Sequence, residues 1–403
     1  MNTIGNIKNK HILFLQGPMG SFFKKIDNLF RENGAVTHKI GFNAGDYFFS
    51  NHDNYIAYKD TREEYKNFIV NFLTNKRIDK IFLFGDCRFY QRISINVALD
   101  LSVNVYVFEE GYIRPNYITM EKYGVNDFSH IPRNSDFYDK LKLYEIEEPL
   151  DTNYNQLNMV LSSSTYYFLS NIFHYKYPNY IHHRDFSALK ELFYGVRSLI
   201  RKNIYSINEK KYLNIIQNEL SNKYFFVPLQ TYNDFQILEH SGYGSIEKFI
   251  IEVLESFSKY LSQDYLVFKH HPVDRGRVNY KKFIINQAEV LGIKDRVLVF
   301  HDVHLPTCLK NAKGTITINS TVGLSSLYHN TPTITLGNSI YDIDGLTCKN
   351  MQLNNFWSEH KTPKMELLQK YRLFIIENTQ LNGSFYGKVP IFKFSIEEQQ
   401  LHQ

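Results

Sequence analysis

Tyr265-Leu266-Val267-Phe268-Lys269-His270-His271-Pro272 decides how this chain folds. A mainly apolar run stops at two histidines and a proline, so a buried strand over Tyr265–Lys269 ends in a polar turn. The pattern recurs where an apolar strand over 315–318 runs into Asn319-Ser320-Thr321-Val322-Gly323. In an open α/β sheet, ligands bind outside the carboxyl ends of the strands. Two polar clusters at two such ends point to one shared crevice. The second cluster opens a helix, and the free N–H groups and dipole of a helix start suit a phosphate. The ligand this pattern predicts is anionic and nucleotide-linked.

Working outward, further strands are expected at 224–229, 297–300 and 333–336. A helix over 245–261 would align Ile246, Phe249, Ile250, Val253, Leu254 and Phe257. Toward the N-terminus, strands at 11–16, 36–42, 80–84 and 103–108 alternate with helices near 21–33, 65–75 and 92–101. Strands separated by helices give a parallel sheet. Residues 151–222 break the rhythm, being rich in Tyr, Asn, Ser and Lys, and read as helical. There Phe186, Leu189, Leu192, Phe193, Val196, Leu199 and Ile200 share one helix face. Between His174 and Lys211, eight Lys/Arg stand against three Asp/Glu. Such a segment can lie on an anionic membrane or pack on a core as an ordinary solvated helix. The expected division is an α/β domain over 1–222, including the helical segment 151–222. A second α/β domain over 223–345 follows, then helices and a polar tail over 346–403.

At 403 residues the chain can build two cores. Hydrophobic residues at 43% and charged residues at 22% are globular usage. The net charge of +5 permits an anionic substrate or membrane surface. Without an arginine-rich tract, zinc-ligand spacing or RNA-binding aromatic signature, nucleic acid is not an expected partner. Cys87, Cys308 and Cys348 are scattered and odd in number, which argues for a reducing compartment. The opening MNTIGNIKNKHILFLQG reads as the lead-in to a strand, and no run is apolar and long enough for a membrane span.

Three further clusters carry candidate chemistry. Gln230-Thr231-Tyr232-Asn233-Asp234 follows a strand, and a carboxylate there can act as base or nucleophile, although Asn and Asp also cap ordinary turns. Its neighbourhood to the other two strand ends favours the functional reading. In the His-His-Pro block, Pro272 holds His271 extended. Adjacent strand residues face opposite ways, so His271 is the candidate for the crevice and His270 for packing. Phe108-Glu109-Glu110-Gly111-Tyr112-Ile113-Arg114 places paired acids and an arginine at another strand end, a pattern that also fits a surface ion pair. Asp86 and Arg88 follow the 80–84 strand. Gly17, Gly20 and Ser21 precede a helix but lack the dinucleotide glycine pattern and the phosphate-loop lysine. No Asp-x-Asp motif follows a strand, so no metal is expected.

Taken together, FLQGPMGSFF, GFNAGDYFF, FGDCRFY, VFEEGYIRP, VPLQTYNDFQI, VFKHHPVDRG, HDVHLPTCLKNA, INSTVGLSSLYHNTPT and IYDIDGLT resemble the capsule polysaccharide biosynthesis family of the KpsS/LipB type. The blocks run in order from about residue 13 to residue 347. The resemblance implies a GT-B-like α/β fold, two Rossmann-like domains facing a central cleft with a helical insert. It implies a retaining β-Kdo glycosyltransferase that moves Kdo from CMP-Kdo to a (lyso)phosphatidylglycerol lipid, with no cofactor. It also implies residence in the cytoplasm, peripheral on the inner face of the inner membrane, beside other capsule synthesis and export proteins. Carried over, Asp234 is the catalytic acid, with Gln230 and Asn233 beside it. Gln230, Asn233, Lys269, His271, Pro272, Asn319, Ser320, Thr321 and Gly323 serve the donor, and His271 is also counted with the catalytic residues. Glu109 and Glu110 serve acid–base chemistry, with Glu at 110 where the family has Asp. Gly17, Gly20, Ser21, Asp86, Arg88 and Arg114 fall on the acceptor side. Two alternatives stay open: a non-catalytic capsule glycolipid-binding component that docks to export machinery, and a transferase using another nucleotide sugar.

Overall fold

The computed structural model describes residues 4–182, 188–232 and 242–394. Phe186, Asn233, Asp234 and the tail beyond 394 lie outside them. The chain forms two α/β units, as the strand and helix alternation predicts; the second has a parallel sheet and the first a mainly parallel one with antiparallel strands at one edge.

The first unit comprises Met1–His130, Glu145–Ala188 and Leu373–Gln403. Its strands are β1 (His11–Leu15), β2 (Val36–Gly41), β3 (Tyr55–Ala57), β4 (Lys80–Phe84), β5 (Asn104–Glu110) and β6 (Tyr117–Lys122). The second unit comprises Ile131–Tyr144 and Leu189–Arg372 and holds β7 (Tyr224–Pro228), β8 (Tyr265–Lys269), β9 (Val297–Phe300), β10 (Gly314–Thr317) and β11 (Thr333–Thr335). A last strand, β12 (Gln380–Asn382), belongs to the first sheet. The strand orders are β12-β6-β5-β4-β1-β2-β3 and β11-β10-β7-β8-β9.

Both sheets explain the near-continuous apolar runs. In the first, Leu13, Leu15, Ile81, Leu83, Val105 and Val107 fill a core on one face, while Ile12, Phe14, Phe82, Tyr106 and Phe108 fill another. In the second, Phe225, Val227, Leu266 and Phe268 pack on one side and Tyr224, Phe226 and Val267 on the other. Strands covered on both faces lose the polar alternation of a half-exposed sheet.

Three expectations are corrected. The division into units falls near residue 188 and again near 372, not at 222 and 345. The segment after 345 is not a separate piece, because Leu373 onward returns to the first unit, where β12 pairs antiparallel with β6 and Phe385 and Phe392 enter its core. Neither boundary carries a composition change, because contacts made far along the chain set it. The 103–108 strand continues to Glu110 and turns back through Gly111 into antiparallel β6. A Cβ on Gly111 would lie 2.2 Å from the Tyr117 carbonyl oxygen, so the turn needs glycine.

Candidate functional site

The second sheet places β7 between β10 and β8, so the segments that follow these three strands leave neighbouring carboxyl ends. The side chains continue the ladder. Buried Gln230 donates through Nε2 to Asn319 Oδ1 at 3.0 Å, and its Oε1 accepts from the Asn319 N–H at 3.4 Å. The turn on which Asp234 is expected is held at its near end, where the buried Asp274 carboxylate accepts from the Tyr232 N–H at 3.0 Å.

His271 caps the single turn Pro272–Gly276, its Nδ1 accepting from the Val273 N–H at 3.2 Å. A neutral ring that accepts at Nδ1 carries its proton on Nε2, so Nε2 is a donor. His270 is the packed partner. Its ring lies between Tyr280 and His301, with centroids 5.9 and 4.3 Å away, and its Nε2 accepts from the Tyr280 N–H at 2.8 Å. Burial, with the His301 ring beside it, pushes His270 down to about 3, so it stays neutral. Lys269 is buried and turns its ammonium to the carbonyls of His270 and His301, 3.5 and 3.3 Å away. Desolvation lowers its pKa.

The helix Thr321–Tyr328 starts directly after β10. Ser320 is its N-cap, with Oγ accepting from the Val322 N–H at 3.2 Å, the Gly323 N–H donates to the Ser320 carbonyl at 2.9 Å, and among the described residues no other side chain caps the first turn. Gly323 lets the helix meet Tyr341, because a Cβ there would stand 2.1 Å from the Tyr341 hydroxyl oxygen. That hydroxyl donates to the Ser320 carbonyl and fixes the helix start. Gly323→Ala is therefore expected to lower stability by about 1–3 kcal/mol through overpacking. Urea midpoints check it. Tyr341→Phe removes the nearest atom, so the double variant should recover part of the loss.

In the first sheet, β5, β4 and β1 are neighbours, so Glu109, Asp86 and Gln16 share an edge. Glu109 is half-buried and Glu110 exposed. Burial pushes Glu109 up to about 7, opposed by the Glu110 N–H that donates to its Oε1 at 2.9 Å and reinforced by the Glu110 charge. Glu110 pairs loosely with Arg114, at 3.8 Å. Arg114 Nε also donates to the Gly111 carbonyl at 3.4 Å. Of the two acids, Glu109 has the ionisation of a base working near neutrality. Asp86 is buried and accepts from the Val125 N–H at 2.8 Å and from the Cys87 thiol. Arg88 lies over the Phe84 ring at 5.4 Å. Gly17 packs against Phe23, Gly20 has φ +135°, and Ser21 makes no side-chain cap on the helix Phe22–Glu32.

Two networks join residues far apart in the sequence. In the first unit, fully buried Asp46 accepts from the Phe42 N–H (2.9 Å), Gln16 Nε2 (3.1 Å) and the Tyr166 hydroxyl (3.0 Å). Burial raises its pKa, and buried Lys39 opposes that. In the second unit, Glu209 accepts from the main-chain N–H groups of His301 (2.9 Å) and Asp302 (2.8 Å) and from His301 Nδ1 (2.8 Å). Burial raises the Glu209 carboxyl, but these donors outweigh it and hold the pKa below the usual value. Its partners lie about ninety residues along the chain, beyond any local pattern.

The family described as capsule polysaccharide biosynthesis protein matches residues 79–386. The Escherichia coli capsule polysaccharide export protein KpsS is 37% identical over 381 residues, 94% of this chain and 98% of that protein. The capsule polysaccharide modification protein LipB of Neisseria meningitidis serogroup B is 37% identical over 391 residues, 94% of this chain and 92% of that one. Among solved structures, the Thermosulfurimonas dismutans KpsC beta Kdo 2,7 transferase covers 90% of this chain and 89% of its own at 16% identity. Its TM-score of 0.41 carries no argument about activity.

Proposed function

This chain belongs to the capsule polysaccharide biosynthesis family, and from that premise we propose that it is a retaining β-Kdo glycosyltransferase. The donor in this reading is CMP-Kdo and the acceptor a (lyso)phosphatidylglycerol lipid on the inner face of the inner membrane. The single observation that carries it is the cluster of Gln230, His271 and the Ser320–Thr321 helix start at neighbouring strand ends of one parallel sheet. Such an edge suits a nucleotide phosphate.

The chemistry follows from the residue types. Asp234 attacks the anomeric carbon while the bond from that carbon to the phosphate oxygen breaks and CMP leaves. The acceptor hydroxyl then attacks the same carbon, gives its proton to a general base, the role the resemblance gives to Glu109 or Glu110, and the bond to Asp234 breaks. Two inversions restore the β configuration. The His271 Nε2 donor and the N–H groups at the Thr321 end take up the charge on the departing phosphate, so no metal is required.

The test mixes the purified protein with CMP-Kdo and a fluorescent lysophosphatidylglycerol, with and without EDTA, and reads the product by mass. One added Kdo in both mixtures is the expected result. Loss of product with EDTA would overturn metal independence. The description of the E. coli relative as an export protein supports a second reading, a glycolipid-binding component of export. That reading gains if neither product nor stabilisation by CMP is found.

A further inference from the structure

The helix Ala188–Asn208 binds its own unit through the polar side of its surface. Arg197 donates to the Arg277 carbonyl at 3.3 Å and Arg201 to the Arg275 carbonyl at 2.9 Å. Gly276 passes so close that a Cβ there would lie 2.2 Å from the Tyr194 carbonyl oxygen. Tyr205 stacks on His301 with centroids 4.0 Å apart, and Glu209, just past the helix, is bound by His301 and Asp302. The opposite side holds Phe193, Val196, Leu199, Ile200, Ile204 and Ile207, exposed by 59, 51, 67, 55, 46 and 75%. At 3.6 residues per turn these six fall within about 140° of arc, and Tyr194, Arg197, Arg201 and Tyr205 lie on the other side. An apolar face is thus held outward by hydrogen bonds, stacking and a close backbone approach on the polar face.

The charge around that face selects the occupant. Lys190, Lys202, Lys210 and Lys211 are exposed. The acid after the helix, Glu209, is buried in its pairing with His301. We propose that this helix docks on an anionic bilayer, with its six apolar side chains in the acyl boundary and the lysines at the headgroup level. The proposal rests on the lipid-acceptor reading above only for the choice of a bilayer. Its consequence is mechanical. The helix is fixed to the segment after β8 and to the end of β9, at the carboxyl edge that carries His271. Docking would therefore bring the donor-side edge down to the surface where a lipid acceptor lies.

The experiment is vesicle co-sedimentation of the full chain. One vesicle set is phosphatidylglycerol with phosphatidylethanolamine, and the other is phosphatidylcholine alone. The triple variant Leu199→Gln, Ile200→Gln, Ile207→Gln changes only exposed positions, and retained stabilisation by CMP would show that its fold is intact. The pair Lys202→Glu, Lys210→Glu tests the charge. The expected result is pelleting of the wild type with anionic vesicles, at least about tenfold weaker partition in the triple variant, and loss of the anionic preference in the lysine pair. Equal pelleting of the wild type and the triple variant would overturn the proposal. So would a wild-type dimer that the triple variant converts to monomer, because a second copy would then cover the face. None of these readouts requires transfer, so failure here is distinct from failure of the transferase reading.

Discussion

Asp234→Ala is expected to reduce Kdo transfer by about 10⁴-fold while leaving CMP binding in place. A nucleophile that forms the covalent intermediate has no substitute of the right geometry, so its loss falls on kcat. Binding is kept because other groups are assigned to the nucleotide. Gln230 is anchored to Asn319, His271 is fixed by its cap on Pro272–Gly276, and Ser320 opens the following helix. The measurement pairs single-turnover transfer with thermal stabilisation by CMP, which at one hundred times Kd amounts to about 2.7 kcal/mol of added stability. Wild-type turnover in the variant would remove Asp234 from the mechanism. Loss of both transfer and CMP stabilisation would make it a structural residue.

Glu109→Gln is expected to lower transfer by about 10²- to 10⁴-fold at pH 8 and to change both pH profiles. With its pKa pushed up to about 7, the wild-type carboxylate is ionised above that pH. The wild-type rate should therefore fall as pH drops through 7, and the variant should lose that limb. The stability effect runs the other way. A raised carboxyl holds its proton more tightly in the folded chain, from its ordinary value of 4.5 up to about 7. Its contribution to stability is full below that window and declines as pH rises through it. Above pH 7 the folded chain keeps a charge in a place that disfavours it, so Glu109→Gln should be the more stable protein at pH 8 and lose that advantage below pH 5. Denaturant midpoints at the two pH values check the sign. An unchanged rate profile would assign the base role elsewhere, and Glu110→Gln is the control because Glu110 is exposed.

Much of the fold is legible in the chain. Lys80–Phe84, Tyr224–Pro228 and Tyr265–Lys269 are apolar on both faces, which only a parallel sheet covered on both sides explains. Their polar ends, at Gln230 and His271, with Ser320 after β10, are local features that a strand-to-turn pattern announces. The sequence alone thus determined the element types, the α/β class and the polar strand ends, because each depends on neighbours within a few residues.

The tertiary structure decided what depends on distant partners. Strand order brings Gln230 to Asn319, and burial at the end of β5 separates Glu109 from Glu110. The return of Leu373 onward to the first unit follows from pairing with β6. The helix Ala188–Asn208 makes the point most sharply. Its periodicity announces two faces, and ordinary packing would turn the apolar one inward. The carbonyls of Arg275 and Arg277, a glycine at 276 and the His301 ring are partners for polar groups, and they bind the other face. Periodicity divides a helix into faces, but only the chemistry of what lies against it determines which face is left to water or lipid.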